Sequence, residues 1–353
     1  MVSDHVWKQR RWRVGRLGVA CVALTISGCA TVGAPRPNYD QYAWPPPPDT
    51  ARIKLDDVIF GRQDVATAQS GIRRALLGQS ASEPFDRLRR PFGVAFDSVG
   101  RILVTDQAGA LFRFDRAKRV AETFGTEGAL ALKTPLGIGI GPDGTIYVAD
   151  GGLKRVLAFD PQGRVTRVFG KEGELQNPTD AEPSADGKAI FVADAKGHEL
   201  VVFDTASGER LRAIGSRGGG EGQFNFPTSL AHDRTGNLLV LDQANARVQV
   251  LTEAGDFVEA YGERGQGFGS FVRPKDVAVD EAGFIYITDA DFCNVQIFDS
   301  DWNLLVFVGS PGRDIGKFGQ TAGVAVQGDR FAVADRLGGR VQVFRFVVAK
   351  DLP

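Results

Sequence analysis

The chain has 353 residues, with 42 Lys and Arg against 43 Asp and Glu and a net charge of −1, so its bulk charge recruits neither nucleic acid nor an anionic membrane. At 43% hydrophobic and 24% charged residues it has the composition of a folded globular chain, and three cysteines are too few for a disulfide-built scaffold.

Residues 1–28 read as an export signal. Lys8, Arg10, Arg11, Arg13 and Arg16 make a basic start, and Leu17–Ser27 is an apolar run too short to span a membrane. The Ile26-Ser27-Gly28-Cys29 at its end puts small residues before a cysteine, as a lipobox does. The chemistry expected there is diacylglycerol transfer to the Cys29 thiol, cleavage before it, and acylation (palmitate or a similar chain) of the new N-terminus. Two or three acyl chains anchor stably where one does not. Loss of five basic residues and Asp4 leaves 37 basic and 42 acidic side chains, a net charge of −5. Cys21 leaves with the signal and Cys29 is lipidated, so Cys293 has no intrachain disulfide partner.

Residues 29–50 form a linker rich in proline at Pro35, Pro37 and Pro45–Pro48, semi-rigid and extended. At about 3 Å per residue it reaches up to about 60 Å. It serves either as a spacer or, through Tyr39, Tyr42 and Trp44, as a strap against the domain that follows. That domain covers 51–349. Within it, 62–90 reads as a basic insertion or cap carrying Arg73, Arg74, Arg87, Arg89 and Arg90, with a short helix over Ala68–Leu77.

From there the chain repeats. A five-residue block ending in Asp recurs at Asp106, Asp150, Asp194, Asp242, Asp289 and Asp335, at intervals of 44, 44, 48, 47 and 46 residues. Each copy carries four short segments rich in Val, Ile, Phe and Tyr, bounded by Gly, Asp, Asn and Pro, the pattern of antiparallel strands joined by tight turns. Four strands per period make one propeller blade. There are six copies of the first three strands but only five fourth strands after them. The missing strand lies at the other end, in Arg52–Gly61, which finishes in Phe60-Gly61 as the fourth strands finish in an aromatic or aliphatic residue plus Gly. The expected fold is therefore all-β, a six-bladed propeller whose ring is closed by strand 52–61 completing the last blade. Closure hides the edges an open ring would expose.

The pattern of GVAFD (Gly93–Asp97), IYVAD (Ile146–Asp150) and VQIFD (Val295–Asp299), followed by an aromatic-Gly pair such as Phe124-Gly125, resembles NHL-repeat six-bladed propellers over Arg52–Phe346. With Trp44–Pro48 leading into the ring, the chain is most similar to bacterial NHL-repeat lipoproteins. That resemblance implies a tethered module whose partner is an envelope protein, and no nucleic-acid role. Ala30 rather than Asp after Cys29 resembles Gram-negative lipoproteins sorted to the outer membrane. A monomer is expected. Folds of this kind host unrelated activities, so function rests on the site.

The six repeat aspartates recur at one position, which points to architecture: Asp bonds backbone N–H groups of a following turn. Arg155, Arg247 and Arg340 share a second recurring position suited to pairing with carboxylates. The Gly-rich stretches Gly215–Pro227, Gly262–Pro274 and Gly309–Gln320 have strands on both sides. A phosphate loop needs a helix N-terminus after it, so these are blade links. Departures from the repeat say more. Asp180, Glu182 and Asp276 are acidic in first strands that should line the channel, Lys275 stands beside one of them, and His232 replaces an apolar residue. These five are the candidate binding residues at the channel mouth. Six-bladed lactonases such as gluconolactonase and paraoxonase are similar in using a metal there. Asp180, Glu182 and Asp276 are oxygen donors of the kind Ca²⁺ takes, but no recognisable version of the lactonase ligand set is present. Peptidyl-hydroxyglycine lyases, also NHL-like, need a zinc-binding histidine cluster, and beyond the signal only His198 and His232 remain. No nucleophile elbow, haem-attachment motif or Cys/His zinc set is found. Three readings follow: a non-enzymatic binding or scaffold propeller with no cofactor, a calcium- or zinc-dependent lactonase-like hydrolase, and a channel that binds a small ligand or glycan.

Overall fold

The computed structural model describes residues 38–46, 49–66 and 85–347. The lipobox with Cys29, the helix expected at Ala68–Leu77, and Arg73 and Arg74 lie outside these residues. Among the described residues no helix is long and apolar enough to cross a membrane.

Six antiparallel sheets follow one another, each a blade. Blade 1 comprises Pro91–Phe96, Ile102–Asp106, Ala110–Asp115 and Val120–Phe124. Blades 2 to 5 repeat the order with inner strands Pro135–Ile140, Pro178–Pro183, Pro227–His232 and Pro274–Val279 and outer strands Val165–Phe169, Arg210–Ile214, Phe257–Tyr261 and Leu304–Val308. Blade 6 comprises Thr321–Gln327, Arg330–Asp335 and Arg340–Phe346, and its fourth strand is Ile53–Ile59 from the N-terminal side. Ile53 pairs with Phe346 and Ile59 with Val341, with a register shift between Leu55 and Asp57. The shift sets Asp56 and Asp57 outward, where both meet Arg116 of blade 1, at 3.0 and 2.9 Å. The ring is thus closed by hydrogen bonds within a blade and by an ion-pair cluster to the next one.

Burial explains each strand's composition. The second and third strands are sandwiched between neighbouring blades and are almost wholly apolar and buried, as in Ile146–Asp150. The outer strands have one wet face, so Arg210–Ile214 is exposed except at Ile214. The inner strands converge on the axis and need small residues. A Cβ at Gly139 would stand 2.1 Å from the carbonyl oxygen of Ala181, and one at Gly323 2.4 Å from that of Phe92. Blades hold each other through aromatic contacts such as Tyr286 of blade 5 against Phe331 of blade 6, ring centroids 5.6 Å apart.

The repeat aspartates staple each blade to the link entering it. Asp150 accepts hydrogen bonds from the N–H groups of Lys133, Thr134, Gly152 and Leu153, at 2.7–3.0 Å. Asp289 does the same for Val272, Arg273, Asp291 and Phe292. Arg247 and Arg340 pair with Asp242 and Asp335 at 2.9 and 3.0 Å. Arg155 does not: its guanidinium donates to the carbonyls of Lys154 and Lys171, because the strand leaves it half-exposed beside the link. The three Gly-rich links share one plug. Phe224, Phe271 and Phe318 are fully buried, and a Cβ on the facing Gly215, Gly262 or Gly309 would come within 2.4 Å of the ring.

The segment before the ring packs down at its end. Ala43–Trp44 adds a fifth strand to blade 6, with Trp44 opposite Ile53, and the indole meets Phe344 edge-on at 5.4 Å. Tyr39 and Tyr42 join the same apolar cluster.

Candidate functional site

The six inner strands place equivalent positions in rings around the axis. The third position carries Gly93, Gly137 and Gly323 in blades 1, 2 and 6, but Asp180, Ser229 and Asp276 in blades 3, 4 and 5. One side of the channel is therefore small and apolar and the other polar. The polar groups are stitched across blades. Asp180 accepts from the Leu230 N–H at 2.9 Å, Ser229 Oγ bonds Asp276 at 2.5 Å, and Asp276 accepts from the Val324 N–H at 2.7 Å. The side chains replace the backbone pairing that inner strands cannot make with neighbouring blades.

Charge builds up here. Burial, then the Asp276 carboxylate, hold the Asp180 carboxyl well above the ordinary range. Burial pushes Asp276 up to about 7 against the bonds from Ser229, Val324 and Val277, with Glu182 adding to the rise. Desolvation of the charged form outweighs the donors at both sites.

All five residues singled out in the sequence line one cavity of about 300 Å³. They do not share one mouth, as the sequence reading expects. Lys275 is the second residue of its strand, Asp180 and Asp276 the third, Glu182 the fifth and His232 the sixth, a spread of about 13 Å along the channel. The rise of about 3.3 Å per residue along a strand sets such positions at different levels.

At the far level His232 is held on both ring nitrogens, Nδ1 3.1 Å from Glu182 and Nε2 3.0 Å from Glu253. Burial works against the imidazolium, but the hydrogen bonds and charges of Glu182 and Glu253 prevail and its pKa is raised. The ring rests edge-on against Phe191 at 5.9 Å. Glu253 was missed in the sequence. Its signal is that blade 4 ends its third strand in Leu251-Thr252, where four other blades have Asp directly after the aromatic. His198 lies elsewhere, packed on Phe226 at 4.7 Å.

At the opposite level Lys275 stands with Arg273 and Arg336. Burial, then those two cations, push the Lys275 ammonium down to about 8. Neither Arg273 nor Arg336 stood out in the sequence, because each lies just outside the strand pattern.

All four oxygens of Asp180 and Asp276 already accept hydrogen bonds. Among the described residues no group of three or more His, Cys, Asp or Glu is arranged to hold a metal ion. Cys293 is buried in its turn, its thiol donating toward the carbonyls of Ala290 and Gly319 at 3.4 and 3.7 Å.

A family described as a 6-bladed beta-propeller matches residues 228–302, parts of blades 4 and 5. Peptidylglycine alpha-amidating monooxygenase of Rattus norvegicus is 29% identical over 143 residues, 36% of this chain, and the chain matches only 15% of that relative's length. Among solved structures, a gluconolactonase from Xanthomonas campestris superposes with a TM-score of 0.57 at 15% identity, over 83% of this chain and 98% of that one. Virginiamycin B lyase from Staphylococcus aureus does so with a TM-score of 0.52 at 13% identity, over 72% and 80%. At these identities the structural likenesses speak for architecture alone, and the architecture is that of a six-bladed β-propeller.

Proposed function

We propose that this chain is a non-enzymatic binding propeller, held to a bacterial envelope membrane through a lipid on Cys29, whose partner is an extended segment of another protein. The observation that carries the reading is an apolar groove on the outer edge of blade 5. Phe268 is 83% exposed and stacks on Phe307 at 5.7 Å. With Leu305, Trp44, Pro45 and Pro46 these rings bound a groove of about 610 Å³. Large exposed aromatics grouped in this way mark interaction surfaces. The strand beside them, Leu304–Val308, is the last of its sheet, so its outer backbone edge has no strand partner among the described residues. Blade 6 has used the same kind of edge to take up Ala43–Trp44. An extended chain added along Leu304–Val308 gains main-chain hydrogen bonds and sets apolar side chains on Leu305 and Phe307.

The test is a photo-crosslinking residue in the full chain in its native membrane, at Phe307 and, as control, at exposed Thr235. Support is one discrete intermolecular adduct from position 307, absent from position 235 and lost on Phe268→Asp. An adduct at both positions, none at either, or a crosslink only to residues 1–37 of the same chain overturns the reading. On this reading a chelator leaves the thermal melt unchanged. One tightly held calcium or zinc per chain, with loss of lactone hydrolysis on Glu182→Gln, would support the hydrolase reading instead.

A further inference from the structure

We propose that the mouth of the channel lined by Lys275 is a binding site for the anionic head group, carboxylate or phosphate, of a small molecule. The site is distinct from the groove on blade 5 and does not depend on it. Three consecutive blades contribute cations to one end of the ring. Arg273 and Lys275 flank the start of the inner strand of blade 5, Arg336 follows the second strand of blade 6, and Arg90 precedes the inner strand of blade 1. The backbone N–H groups of Arg90 and Arg273 are held by the repeat aspartates Asp106 and Asp289, which fixes the chain at both places.

The cations face each other with little to neutralise them. Arg336 is gripped by neutral acceptors, Gln107 Oε1 at 2.9 Å and Gln320 Oε1 at 2.8 Å. Burial, Arg90 and Arg273 together lower its pKa. Arg90 donates to the carbonyl of Gln107 at 3.4 Å. Arg273 pairs with Asp291 at 2.5 Å, and the Asp291 and Asp289 carboxylates offset part of the repulsion at Lys275 without bonding it. The Lys275 ammonium lines the cavity and has no hydrogen-bond or ion-pair partner among the described residues. Like charges gathered in a concave, partly dry site raise the free energy of folding, and a bound anion relieves that.

Two further donors point the same way. Thr228 Oγ1, on the blade 4 strand at the same level as Lys275, is buried without a partner and lines the cavity. Arg273 Nε is likewise buried and unpaired. A carboxylate or phosphate group supplies the acceptors that these donors and the ammonium lack. Asp180 and Asp276 form the next level of the channel.

The experiment titrates the full-length, detergent-solubilised chain with inorganic phosphate, acetate and citrate, reading heat of binding and melting temperature. The expected result is a saturable heat with at least one of them, weakened by about tenfold or more in Kd in Lys275→Met and in Arg336→Gln. Lys275→Arg keeps binding. The melting temperature of Lys275→Met without ligand rises or stays level, since repulsion is removed, which separates lost binding from lost folding. Phosphate alone, or the carboxylates alone, identifies the head group. No saturable heat with any of the three, or equal affinity in Lys275→Met and the unaltered chain, overturns the site.

Discussion

Ser229 of blade 4 and Asp276 of blade 5 are joined side chain to side chain at 2.5 Å, and Asp276 passes the link to the Val324 N–H of blade 6 at 2.7 Å. Three blades are thus tied at the axis, where the inner strands of neighbouring blades share no backbone ladder. Asp276→Ala leaves a buried N–H and the Ser229 hydroxyl short of partners and should destabilise by about 1–3 kcal/mol. Urea denaturation of the single and double variants with Ser229→Ala checks this. Coupling is expected, so the double variant should lose less than the two single losses added.

The charge levels make stability depend on pH with a defined sign. Asp276 has a raised pKa, so the folded chain holds its proton more tightly than the unfolded chain. Its contribution is fully present below the ordinary carboxylate pKa and is lost as pH rises through the folded value of about 7. His232 is also raised, and its contribution is present below the ordinary imidazole pKa and fades as pH climbs past the folded one. Melting temperature should therefore fall across neutral pH. Asp276→Asn should flatten the acid side of that slope, and His232→Gln the neutral-to-alkaline side. An unchanged profile in both would contradict the assignment.

The repeat aspartates predict a contrast along one turn. Asp150→Ala strips acceptors from four N–H groups at once and should lose about 3 kcal/mol or more. Arg155→Ala removes only exposed bonds to two carbonyls and should change stability by about 0.5 kcal/mol or less. Parallel chemical denaturation of the two variants decides.

Ring closure should be indispensable, and the strap helpful. Truncation before Gly61 removes Ile53, Leu55, Val58 and Ile59 from the core and bares the edge of blade 6, so the product should aggregate on gel filtration. Trp44→Ala keeps the ring and removes one aromatic contact with Phe344, a loss of about 1–2 kcal/mol visible as a lower melting temperature.

Cys293 should resist thiol reagents in the native chain. Burial raises its pKa, with Asp335, Asp291 and Asp289 adding to the rise, and nucleophilic attack needs the thiolate. Labelling followed at the Cys293 peptide by mass spectrometry should be slow in buffer and fast in denaturant.

The blade count, the closing strand and the role of the Gly-rich links were legible in the chain because they are local and repeated: each period carries its own turn residues and apolar pattern. Departures from that pattern also pointed to Asp180, Glu182, His232, Lys275 and Asp276. Their pairings were not legible. Residues about 50 positions apart, such as Asp180 and Leu230, meet only when the ring closes and sets neighbouring inner strands side by side. The sequence also placed five residues at one mouth, whereas their different positions along the inner strands distribute them over separate levels of the channel. Glu253, Arg273 and Arg336 lie outside the strand pattern and acquire their meaning from what faces them across the axis. One-dimensional periodicity decides which elements form, and closure in three dimensions decides which charges must share a low-dielectric space.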